Sequence, residues 1–269
     1  MRSALLLLAL LVSSPAVSYG DASPSPAATL ASLTAKEFTS LDETQRGVRA
    51  IAGALRGYGN RRGLFAGIYA LTIEATAQML ARGEFRNPAW VRSLVVNYAN
   101  IYRRGLHFEL TGQRAKLPLG WQLAYGYIAR TVPYAEEGKE TWSADLDAVY
   151  GIQVHIARDL VEALFITPTN FASASQRTDF FLITEALRGT MPAIYSLFTA
   201  YRGAWSPFAP IEQSVMMSWI ADLRAAAWAN VAANAHLGPV GRKKVLSAID
   251  QDGTRRALKH GTLLPLLPR

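Results

Sequence analysis

The sequence predicts an all-α protein: a single compact domain of about eight helices, packed as an orthogonal or irregular bundle behind an N-terminal signal peptide. Three observations predict it. From Lys36 to the C-terminal tail, apolar residues recur three and four apart, the spacing of one helix face. No run alternates apolar and polar residues between turn signals, as a half-buried strand would, and no internal repeat is present. Half of the 269 residues are hydrophobic and 18% are charged, which supplies one sizeable core and argues against disorder.

The chain opens on Arg2, then Ala4 to Val12, an unbroken apolar run of nine residues. Pro15 breaks the run, and the small residues Ala16, Ser18 and Gly20 follow, so cleavage after Ser18 or Gly20 fits a secretory signal. The run is too short to span a bilayer, which takes roughly 20 apolar residues. Residues 1–20 therefore read as a signal peptide, 21–35 as a flexible linker rich in Pro, Ser and Ala, and 36–269 as the domain. The chain has no cysteine, so disulfides and a lipid-modified cysteine are excluded. A core of this size does not need disulfides. The expected location is outside the cytoplasm, the periplasm first and the extracellular medium as the alternative.

Within the domain, Phe38, Leu41, Val48, Ile51 and Leu55 keep helical spacing until Gly57-Tyr58-Gly59-Asn60 stops them. A second helix runs from about Arg61 to Arg82 and ends at Gly83. Pro88 opens a third at its first turn, where a missing N–H costs nothing, and that helix fades near Gly105. Pro118 opens a fourth, followed by an acidic loop from Pro133 to Glu140. A fifth covers about Ala144 to Phe165, and a sixth runs from near Ser175 towards Tyr201 with Pro192 as a kink. A seventh spans about Pro210 to Ala235 and stops at Gly238-Pro239, and an eighth covers about Val240 to His260.

Several chemistries are excluded. There is no phosphate-binding Gly-rich loop, no G-x-S-x-G nucleophile elbow and no H-E-x-x-H zinc helix. Without cysteine, thiol catalysis and thiolate metal sites are impossible. The net charge is +8, concentrated late in the chain at Arg242, Lys243, Lys244, Arg255, Arg256, Lys259 and Arg269. No aromatic residues interleave with these charges, so nucleic acid is not an expected partner; the charges read first as a solvated face, with weak contact of this basic helix to an anionic membrane surface as the alternative. No transmembrane segment is expected. The expected ligand or substrate is a small molecule.

The fifth helix carries the informative stretch, Gly151-Ile152-Gln153-Val154-His155-Ile156-Ala157-Arg158-Asp159-Leu160. His155 and Asp159 are four apart and share a face, and with Arg158 and Glu162 they fall within an arc of roughly 100°. The rest of that helix is apolar, so neighbours should enclose it, and its polar strip meets either a sliver of solvent or an internal cleft. Three readings are open. Asp159 can orient His155 as a general base. Both can hold a divalent metal. Or the pair can be a buried, mutually satisfied packing element. His107, His236 and His260 are weaker candidates, His236 as a helix C-terminal cation.

The same stretch resembles the G-x-N-A-H-I-x-x-D-L signature of the uncharacterised bacterial family catalogued as domain of unknown function 5995. Phe65 to Thr72 is similar to that family's early F-x-x-x-Y-x-x-x-T helix, Asp179-Phe180 to its D-F pair, and Arg224 with Trp228 to its R-x-x-x-W. Gln153, Val154 and Ala157 depart from it, standing where Asn, Ala and Asn are common. The resemblance implies an all-helical fold and singles out His155, Asp159, Asp179 and Arg224 together as candidate site residues. It implies no reaction. The resulting expectation is an exported helical protein, an enzyme with a general-base or metal-assisted hydrolytic site at those four residues, with His155 and Asp159 as the metal ligands if a metal is bound. The alternative is a non-catalytic protein that binds a small or lipid-like molecule, or one with a buried His-Asp-Arg packing network.

Overall fold

The computed structural model describes residues 25–130, 142–202 and 209–260, and no strand forms among them. Ten α-helices follow one another: α1 (Pro26–Ala35), α2 (Leu41–Gly57), α3 (Gly63–Ala81), α4 (Pro88–Leu110), α5 (Leu119–Arg130), α6 (Trp142–Val154), α7 (Leu160–Ile166), α8 (Ala174–Arg202), α9 (Ala209–Asn234) and α10 (Pro239–His260). The domain is all-α, as the apolar spacing predicts. The signal-peptide and acidic-loop readings, and Arg269, lie outside the described residues.

The centre is α3, which packs against α2 on one side and α8 on the other and also touches α6. Its buried residues, Leu64, Phe65, Ile68, Tyr69, Ile73, Met79 and Leu80 among them, leave little of it to solvent. By length and composition it is the one helix among the described residues apolar enough to cross a membrane. Gly83 ends it in the left-handed conformation, φ +72°, which a side chain rarely adopts. Where α6 crosses α3, a Cβ on Gly151 would stand 2.7 Å from Phe65 Cγ. Glycine there lets the two backbones approach and sets His155, one turn further on, against the aromatic face of α3.

Two sequence expectations need correction. Residues 26–35 are a packed helix, not part of a flexible linker. Ser25 caps it by accepting from Ala28 N–H at 3.2 Å, and Pro26 opens it. Leu30 and Thr34 are buried against α4, and Arg103 donates to the carbonyls of Thr34 and Ala35. The alanine-rich sequence that reads as a linker is also good helix former, and its short apolar face hides it from a periodicity argument. The third predicted helix does not fade near Gly105; α4 runs on to Leu110. Gly105 is buried there with Leu117 3.7 Å from where its Cβ would be, so packing outweighs the roughly 1 kcal/mol that glycine costs a helix.

The fifth predicted helix is continuous but not uniform. Between α6 and α7 the chain makes one π-turn, His155–Asp159, with Leu160 N–H donating to the His155 carbonyl. Single π-turns inside helices recur at functional sites. This one contains both residues of the His-Asp pair.

Candidate functional site

His155 and Asp159 are 3% and 0% exposed, so they turn to the interior, while Arg158 and Glu162 of the same polar strip stay partly open to solvent. His155 Nδ1 lies 3.1 Å from Asp159 Oδ2. The same oxygen accepts from Trp121 Nε1–H at 2.8 Å, and Arg158 Nη1 donates to Oδ1 at 3.1 Å. Burial would raise the Asp159 carboxyl pKa; the His155 hydrogen bond, the Arg158 charge and Trp121 together outweigh it and hold the group below its usual value. Asp159 is therefore a carboxylate with three donors. Burial pulls the His155 pKa below 6.5 against the opposing pull of Asp159, so the imidazole is neutral at pH 7. Nδ1 then carries the proton that Asp159 accepts, and Nε2 carries a lone pair.

An aromatic box fixes the imidazole. The Tyr98 ring stacks on it at 3.8 Å between centroids and 6° between planes. Tyr69 meets it edge-on at 4.5 Å, and Phe65 and Tyr102 complete the walls. His155 Nε2 has no hydrogen-bond partner, and neither do the buried hydroxyls of Tyr69 and Tyr98. All three residues line one cavity of ≈ 60 Å³. Burial drives both phenol pKa values well up, with the Asp159 charge adding to each, so both hydroxyls stay protonated donors. Native interiors seldom leave such groups unpaired, and each one costs about 1–3 kcal/mol.

Arg224, on α9, lines the same cavity and is 6% exposed. Its Nε donates to Thr184 Oγ1 at 2.9 Å, one Nη donates to the Phe180 carbonyl at 2.6 Å, and the guanidinium lies 4.4 Å from the Phe180 ring centroid. Burial pushes its pKa down to about 10, which leaves it charged at neutral pH. It pairs with neither Asp159 nor Asp179. Apart from Thr72 and Thr184, the remaining walls are apolar, Ile152, Ile156, Met191, Met216 and Ile220 among them.

On the other side of the π-turn a larger cleft of ≈ 320 Å³ opens between α4, α5 and α10. Trp121, Arg158, Asp159 and Glu162 line it. Arg158 and Arg104 both bind Glu162, the latter at 2.8 Å. Asp159 thus backs the outer cleft, and His155 faces the inner cavity.

Asp179 is not part of this group. It is buried, and its oxygens accept from Arg86 N–H at 3.0 Å, Asn87 N–H at 2.6 Å and the Asn87 side chain at 2.9 Å. It caps the N-terminus of α4 from across the fold, and Ser173 rather than Asp179 serves the first turn of its own helix. Expecting it beside His155 fails because the D-F pair does two separate jobs: Asp179 anchors α4, while Phe180 packs under Arg224 and Trp228. Trp228 belongs to the core. His107 is engaged with Thr34 at 3.0 Å. The metal reading finds no support in the donor set: among the described residues no group of three His, Asp or Glu side chains could hold an ion. His155 Nδ1 and Asp159 are moreover spent on each other and on Trp121 and Arg158.

Sequence reasoning missed Tyr69 and Tyr98 as site residues. Their signal was present: a tyrosine in an apolar stripe puts a hydroxyl where a buried group needs a partner. The π-turn has no sequence signal at all. Gln153, Val154 and Ala157, the departures from the resembled signature, line a separate small pocket against α5 and α10 and leave the His155 cavity untouched.

Fold and site define a class: an all-helical protein whose mostly apolar cavity is lined by the free face of a His-Asp pair, two phenols and a buried arginine. The chain belongs to the family of unknown function DUF5995, whose family model matches residues 41–259. No curated protein and no solved structure matches the chain.

Proposed function

We propose that the protein is a general-base enzyme acting on a small molecule in the α3–α4–α8–α9 cavity, with His155 as the base. The observation that carries this is the unpaired Nε2 of a neutral, buried histidine whose other nitrogen is held by a carboxylate. Asp159 fixes the tautomer and stabilises the imidazolium once Nε2 has taken a proton. Tyr69 and Tyr98 supply neutral hydroxyls that can donate to an oxygen on which charge develops. The cavity is small and largely apolar, which favours a small carbonyl compound as substrate, and proton removal is the least demanding reaction a lone base can perform on it. Non-catalytic binding of a small ligand in the same cavity is the second reading, favoured by its largely apolar lining. Export to the periplasm is part of the proposal and rests on Arg2, the Ala4–Val12 run and the small residues that follow.

The test is proton exchange in D2O, followed by NMR on a panel of small ketones, oxo acids and short esters. Catalysed exchange is expected, falling by a factor of about 100 or more in His155→Gln protein that still melts cooperatively. An unchanged rate in His155→Gln, or no reaction with any panel member, overturns the enzyme reading.

A further inference from the structure

We infer that the cavity takes a small monocarboxylate, its carboxylate on Arg224 and its short apolar body against Met191, Met216 and Ile220. This deepens the general-base reading and shares its cavity. It stands on an observation of its own, a buried cation without a counter-charge. No carboxylate pairs with Arg224 among the described residues, and its hydrogen bonds, to a hydroxyl and a carbonyl, are both to neutral acceptors. Buried charges in proteins are otherwise paired or bound to an ion. Of the other two buried arginines among the described residues, Arg61 binds Asp147 at 2.7 Å, and Arg103, held by the Thr34 and Ala35 carbonyls, still has the Glu37 carboxylate 3.7 Å away. Arg224 departs from that rule at the wall of a cavity.

Charge and size narrow the ligand. Water could occupy the space and satisfy Nε2 and the two hydroxyls, but it cannot neutralise a guanidinium. Arg224 is the one cationic side chain among the residues lining the cavity, and no carboxylate lines it. One positive charge matches one negative charge, so a monoanion fits better than a phosphate dianion. A planar carboxylate also matches the guanidinium fork, which here has one Nη without a hydrogen bond. The cavity of ≈ 60 Å³ is smaller than the ~150 Å³ that admits benzene in an engineered apolar cavity, so butyrate, with as many heavy atoms as benzene, enters only as the walls give way, and a long acyl chain needs a larger rearrangement. Two methionines in the wall are the side chains best able to give way for a slightly larger body.

The experiment compares butyrate with its neutral isostere butyramide on the full chain, at matched ionic strength, by calorimetry and by NMR of the methionine methyl groups. Acetate and octanoate bracket the size. Butyrate is expected to bind and to shift the Met191 and Met216 methyl signals, while butyramide binds roughly tenfold more weakly or not at all. Octanoate is expected to bind more weakly than butyrate. Arg224→Lys should retain part of the preference and Arg224→Met should lose it. The comparison of the two wild-type ligands stands even if Arg224→Met fails to fold. Equal binding of butyrate and butyramide, or no binding by any carboxylate in the series, overturns the proposal. Butyrate binding without any catalysed proton exchange refutes only the enzyme reading. Exchange on neutral ketones without butyrate binding refutes only this one.

Discussion

Replacing Asp159 by Asn tests whether the carboxylate orients His155 or merely packs beside it. The wild-type carboxylate accepts three hydrogen bonds, from Trp121 at 2.8 Å and from His155 and Arg158 at 3.1 Å. An amide has one oxygen to offer and turns its NH2 towards at least one of those donors. Losing a hydrogen bond to a charged acceptor costs about 1.5–3 kcal/mol, and breaking a buried charge pair about 3–5 kcal/mol. Arg158 keeps Glu162, which removes the upper end of that range. The expected cost is therefore about 3–4 kcal/mol, a drop of roughly 6–16 °C in melting temperature for a domain of this size. The second expectation is chemical. An amide N–H facing His155 favours the tautomer with the proton on Nε2, which removes the base, so proton exchange should fall well below wild type even at temperatures where the variant is folded. Urea melts followed by circular dichroism measure the first, and nitrogen-15 NMR of the imidazole measures the second. A cost below about 1 kcal/mol together with an unchanged tautomer would refute the orienting role.

Acidification should destabilise the protein through the same histidine. Because burial depresses the folded His155 pKa below 6.5, the unfolded chain binds more protons below that value; the stabilisation is fully present above about pH 6.5 and is lost as pH falls from there towards the folded pKa. The slope from this one group is at most about 1.4 kcal/mol per pH unit, and His155→Phe should flatten the fall in denaturant midpoint between about pH 7.5 and about pH 5.5. An equally steep fall in His155→Phe would contradict the assignment. Asp179→Ala should cost about 1–3 kcal/mol, because it strips two part-buried N–H groups just ahead of α4 of their acceptor, while leaving butyrate affinity unchanged. A loss of butyrate binding in folded Asp179→Ala would return Asp179 to the site.

Much of the fold was legible because helix periodicity and its punctuation are local. Pro88, Gly83 and Gly238-Pro239 mark ends that the structure places within a residue or two. The failures were tertiary. Gly105 sits inside α4 because Leu117 covers it, and α1 is held by contacts with α4 that its own ten residues do not announce. At the site, the His155–Asp159 pair was legible from its spacing of four. Arg224, which the family resemblance groups with Asp159 and Asp179, is buried as well, but it pairs with neither carboxylate, and both are engaged with other donors. That assignment depends on how α8 and α9 lie against α4, which no local pattern records.

The case for function over packing rests on an asymmetry that spacing alone cannot show. A buried pair kept only to lock helices together closes its hydrogen bonds at both ends, as Asp179 does with Arg86 and Asn87. The carboxylate of the His155 network is fully engaged, with only Arg158 Nε unpaired at that end, and the cavity end is open. On the Asp159 side every acceptor is used, down to the indole of Trp121 and the guanidinium of Arg158. On the cavity side Nε2 and two phenol hydroxyls are left without partners around the same space, and Arg224 lines it with no carboxylate bound. One open group would be a packing fault filled by a water. Several of them, acceptor, donors and cation, lining one cavity are what a ligand with a carboxylate and an oxygen or an acidic proton would satisfy together. The π-turn puts His155 and Asp159 in one widened turn, so the closed and open halves of the network lie on opposite sides of a single helix.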